Sequence, residues 1–113
     1  MINPMETEKE KRLASLLLRH YEEFNMALLG NQRHYPRAEF QAFAQTARLY
    51  LHGIQDHSFV RREIVRVFHN LVDTLQSERK RIPAEVLWEA ERLECLLFAG
   101  YDPHFEGDEP PGL

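Results

Sequence analysis

Cysteine is almost absent from this chain: a single thiol, Cys95, stands in 113 residues. One cysteine excludes an internal disulfide framework and any multi-cysteine zinc site, and it fits a reducing compartment. Long apolar runs are missing too. Strings such as LLL and LLFA fall far short of the ~20 apolar residues a membrane-spanning helix needs. The opening MINPMETEKEKR lacks the basic-then-apolar order of a secretion signal. The expectation is a cytoplasmic protein that does not enter a membrane.

Charge of one sign is scarce outside one segment. Net charge is -4, from 14 Lys+Arg and 18 Asp+Glu. Four of those acids and none of the bases lie in GYDPHFEGDEPPGL, residues 100–113, so residues 1–99 are balanced. A neutral body offers no general field for gripping a phosphate backbone. An apolar share of 43% still supports one globular domain with a modest core.

Glycine and proline are few, with 5 and 6 residues, and they act as punctuation. Thr7 and Glu10 have the T-x-x-E spacing of a capping box, which starts a helix near Glu8. Gly30 ends it before the loop NQRHY. Pro36 and Gly53 bound a second helix. Asp56 or Ser58 can cap a third that runs to about Glu78, and Pro83 and Gly100 bound a fourth. No strand alternation or internal repeat interrupts the pattern.

Each helix carries an apolar stripe at helical spacing. The first has Leu13, Leu16, Leu17, Phe24, Ala27 and Leu28; the second Phe40, Phe43, Ala44, Ala47, Tyr50, Leu51 and Ile54. The third has Val60, Ile64, Val67, Phe68, Leu71 and Leu75; the fourth Val86, Leu87, Ala90, Leu93, Leu97 and Phe98. Short loops between such helices predict an all-α, antiparallel up-down-up-down four-helix bundle over residues 1–99. A three-helix arrangement with one helix packed across it is the alternative. Residues 100–113 form an irregular acidic Pro/Gly-rich tail. Tyr101 and Phe105 are expected to dock on the open end of the bundle, with Asp102 and Glu106 near Lys9, Lys11 and Arg12.

Three groups of residues stand out chemically. His20 falls inside the first helix's stripe and Glu94 near that of the fourth, with Glu91 at its edge. If those two helices are neighbours, the histidine and a carboxylate satisfy each other, either as a structural pair or as a ligand site. Secondly, the first and fourth helices show more apolar surface than one core face needs: Leu18 and Tyr21 on one, Trp88 and Cys95 on the other. Trp and Tyr favour binding hot spots, and two-fold homodimers are the commonest oligomers. These residues are therefore the expected contact surface for a protein partner or a second copy.

The third group lies in RREIVRVFH, where Arg62, Arg66 and His69 share a helix face. The six residues between Arg62 and His69 resemble the Arg-to-His spacing of the HEPN ribonucleases. That resemblance implies a helical ribonuclease or nucleic-acid binder, against which the acidic net charge weighs. Two H-x-x-x-D motifs, His52 with Asp56 and His69 with Asp73, have their histidines pointing away from their helices' stripes, so no metal site or cofactor is expected. The most economical reading is a small non-enzymatic interaction or regulatory domain that self-associates.

Overall fold

The computed structural model describes residues 6–30 and 35–100, and every regular element among them is helical. The helices are α1 (Glu8–Gly30), α2 (Arg37–Gly53), α3 (Arg62–Ser77) and α4 (Ala84–Ala99). The capping box forms reciprocally: Glu10 N–H donates to Thr7 Oγ1 at 3.1 Å, and Thr7 N–H to Glu10 Oε1 at 2.8 Å. Gly100 takes the left-handed conformation at φ 79° and its N–H closes on the Leu96 carbonyl, which ends α4.

The third helix begins later than its sequence suggests. Neither Asp56 nor Ser58 caps it; the chain instead turns on the His57 N–H to Ile54 carbonyl bond and becomes helical only at Arg62. The cause lies far away in sequence. Arg61 is held extended, at ψ 132°, while its guanidinium binds the Glu6 carboxylate.

The α1–α2 seam follows from a three-four spacing on both helices. Buried Glu10, Ala14, Leu17, Phe24 and Leu28, with half-buried Tyr21 between them, face Phe40, Phe43, Ala47, Tyr50 and Ile54. Tyr21 meets Phe43, Phe24 meets Phe40, and Glu10 lies beside Gly53, so residue numbers rise along one helix as they fall along the other. A Cβ at position 53 would stand 3.1 Å from Glu10 Oε2; glycine lets that carboxylate close on the end of α2. Small Ala14 and Ala47 are both buried in this seam.

The helix order around the core departs from the simple bundle. α1 packs on α2 and α3, and α4 packs on α3 and α2, so α1 and α4 lie diagonally across the core. Polar contacts set the ends. Gln55 reaches the Gly100 carbonyl, Arg61 reaches Glu6, and Arg81 donates to the Leu28 carbonyl at the end of α1. Phe43, wholly buried, touches Tyr21, Phe40 and Phe68 and ties α1, α2 and α3 together. The expected docking of Tyr101 and Phe105 lies outside the described residues, and the α1–α4 register that placed Lys9, Lys11 and Arg12 beside that tail does not hold.

Candidate functional site

The fourth helix is apolar on two sides. Val86, Ala90, Leu93 and Leu97 are buried at three-four spacing. Ala84, Trp88, Glu91 and Cys95 repeat the same spacing on the other side, and Phe98, expected in the core stripe, joins them because the 100° step carries it past the Leu97 line. Trp88 is 63% exposed and Phe98 62%, while Cys95 is half-buried. A helix with one apolar stripe in the core and a second facing water has a surface left for a partner.

The other expected contact residues do not join that surface. Leu18 and Tyr21 lie half-buried against the core on α1, which is not a neighbour of α4. Tyr21 stacks obliquely on Phe43 at 5.9 Å, and burial pushes its hydroxyl pKa up. Tyr21 is taken up by the α2 seam, whereas Trp88 and Phe98 on α4 stay exposed.

The diagonal placement also separates His20 from Glu94 and Glu91. His20 Nδ1 lies 3.3 Å from Glu23 Oε1 on its own helix. Glu94 is half-buried and Glu91 exposed on α4. The pairing required adjacent helices, and α1 and α4 are not adjacent. Arg62, Arg66 and His69 are all exposed on α3. His52 departs from its expected solvated place, because its Nε2 is buried. Among the described residues, no group of three His, Cys, Asp or Glu side chains is arranged to hold a metal ion.

A buried polar cluster joins the start of α1, the end of α2 and the start of α3. Arg61 Nη2 and Nε donate to Glu6 Oε1 at 2.5 and 2.9 Å, and Tyr50 Oη donates to Glu6 Oε2 at 2.8 Å. Hydrogen bonds from Arg61 hold the Glu6 carboxyl below its ordinary pKa against the opposing effect of burial, with Tyr50 helping. Burial first, then Glu6 itself, push the Tyr50 hydroxyl up. Beside them the His57 side chain is 6% exposed, with Nε2 3.9 Å from Glu10 Oε1 and Nδ1 without a hydrogen-bond partner. Chemically this is a neutralised ion pair that braces three chain segments.

Sequence patterning passes over this cluster. Tyr50 reads as an apolar stripe residue, Glu6 as a charge ahead of a helix, and His57 as a loop histidine. The capping box at Thr7–Glu10 was the one local signal that this end of the helix is built with care.

The α2–α4 seam opens into a groove of about 650 Å3 lined by Phe40, Ala44, Arg48, Leu49 and Glu89. It continues toward Tyr35, Arg37 and Pro83. Arg48 and Arg92 both converge on Glu89, one on each carboxylate oxygen, so this triplet carries net positive charge. Burial raises the Tyr35 hydroxyl to about 12, with Arg37 pulling the other way.

Comparison with known proteins adds no family: no protein-family model, curated protein or solved structure matches the chain.

Proposed function

We propose that this chain is a small interaction domain that self-associates through the outer face of α4, with Trp88 at the centre of the contact. The reading takes the four helices as an up-down-up-down antiparallel bundle and the protein as a cytoplasmic, regulatory one. The observation that carries it is the exposure of Trp88 and Phe98 on a helix whose opposite face is already buried. The three-four spacing of Ala84, Trp88, Glu91, Cys95 and Phe98 suits a second helix laid alongside, and a two-fold axis would use Trp88 twice. Hot-spot tryptophans contribute about 2 kcal/mol or more to a contact.

Sedimentation equilibrium of the wild type and Trp88→Ala tests this. The wild type should be a dimer; the variant should be a folded monomer of unchanged helix content by circular dichroism, because an exposed side chain contributes little to the fold of one chain. A wild type that stays monomeric, or a variant that stays dimeric, rejects the reading.

A second reading rests on the shared exposure of Arg62, Arg66 and His69, which would place a nucleic acid on α3. Binding of a short RNA that weakens steeply with salt, and more so than in Arg66→Ala, supports it; absence of binding at low salt rejects it.

A further inference from the structure

The His57 ring is the least satisfied polar side chain in the buried cluster. Its Nδ1 has no hydrogen-bond partner, and its Nε2 stands 3.9 Å from Glu10 Oε1 and 4.0 Å from Asp56 Oδ1. Both distances are too long for a hydrogen bond and short enough for an ion pair. A buried polar atom left unbonded in a folded chain calls for an explanation. Glu10 supplies it. That side chain is 12% exposed; its Oε1 accepts the Thr7 N–H of the capping box, and the carboxylate closes on Gly53 at the end of α2. Among the described residues, no side chain other than His57 can bring a positive charge within 4.0 Å of it.

The charges around the ring follow element by element. Ahead of α1, Glu6 is neutralised by Arg61, which leads into α3. On α1 itself, Glu10 is unmatched. The end of α2 brings the Tyr50 hydroxyl, which donates to Glu6, and His52, whose Nε2 is buried. In the connection, the Asp56 side chain is 88% exposed, so water screens it. One negative charge, that of Glu10, is therefore left beside the ring. Because Glu10 lies against Gly53, the ring also stands at the C-terminal end of α2, where backbone carbonyls favour a cation. A buried charge is costly alone and tolerable when paired, and here the pair is in place.

We propose that His57 is a proton-operated clasp: on taking up a proton its ring pairs with Glu10 and fastens the α2–α3 connection to the first turn of α1. A charge-assisted hydrogen bond would draw Nε2 toward Oε1 from 3.9 Å to about 2.8 Å. With the ring neutral, the Arg61–Glu6 pair holds the connection without this second bond. Histidine is the side chain whose ordinary charge change falls between about pH 5 and 8, so the clasp responds to modest acidification. None of its residues belongs to α4, and it needs no second copy, so it is independent of the Trp88 contact.

The test is a nuclear magnetic resonance titration of the full chain from about pH 8 to about pH 5.5, on the wild type, Glu10→Gln and His57→Asn. Glutamine keeps the capping box, which accepts either residue at that position, so Glu10→Gln preserves the start of α1. In the wild type the Thr7 amide, which donates to the same Oε1, should shift in one step with the ring carbons of His57. A slowly exchanging Nε2 proton should appear in that step. Glu10→Gln should reduce the Thr7 step severalfold and return the Nε2 proton to fast exchange; His57→Asn should abolish the step. A His57 ring still neutral at the acid end, or one that takes up its proton without a response at Thr7, overturns the proposal. A Thr7 step that survives His57→Asn also overturns it and assigns the proton to His52.

Discussion

Replacing Tyr50 with phenylalanine isolates one bond in the brace that ties α1, α2 and α3. The ring is wholly buried and keeps its packing in the variant, so no cavity opens. What disappears is the hydrogen bond to Glu6 Oε2 at 2.8 Å. Hydrogen bonds to charged groups contribute about 1.5–3 kcal/mol. Glu6 Oε2 also accepts from Arg61 Nε at 3.1 Å, so the carboxylate keeps a partner and the lower figure applies. A loss of about 1.5 kcal/mol should lower the melting temperature by roughly 6 °C in a domain of this size. Glu6→Ala should cost more, about 3 kcal/mol or above, because it strands the Tyr50 hydroxyl in the core and leaves Arg61 with only its longer contact to Glu63 among the carboxylates of the described residues. The two changes remove the same bond, so the double variant should be no less stable than Glu6→Ala alone. Urea denaturation followed by circular dichroism reads all three values. A Tyr50→Phe protein within ~0.3 kcal/mol of the wild type, with an unchanged denaturant slope, refutes the brace.

Two further outcomes follow from the same framework. Glu6 titrates below its ordinary value of 4.5 in the folded chain because Arg61 binds its charged form, so its contribution is complete above pH 4.5 and is lost as pH falls through the depressed folded value. Glu6→Gln should therefore flatten the acid limb of the stability profile, and an acid limb identical to the wild type's would contradict that. Phe43→Ala should destabilise by about 3–5 kcal/mol, since the ring is fully buried and meets three other aromatic rings; a loss under ~1 kcal/mol in urea titration would mean that Phe43 is not central to the core.

Helix ends were legible because they are written locally. Thr7 with Glu10, Pro36, Pro83 and Gly100 each act within a turn of their own position. The start of α3 was not, because Arg61 answers to Glu6, 55 residues earlier. Apolar stripes say which face of a helix is buried but not which helix covers it, and so the diagonal placement of α1 and α4 escaped the reading, taking the His20–Glu94 pair with it. The half-burial of Leu18 and Tyr21 was hidden for the same reason. Trp88 was legible because its angular offset from Val86, Ala90, Leu93 and Leu97 depends on helical geometry alone. The groove between α2 and α4 needed two helices side by side before it could be seen.

The central claim concerns the outer face of α4, and the chain carries its own probe, since Trp88 is its only tryptophan. The most direct measurement is the emission maximum of that indole as a function of protein concentration. At high dilution Trp88 should emit as an exposed indole; as concentration rises, desolvation in a two-fold contact should move the maximum to shorter wavelength, in step with the mass seen by sedimentation. An emission maximum that stays at the exposed-indole position up to millimolar protein would show that no second copy covers Trp88, and the self-association reading would fall.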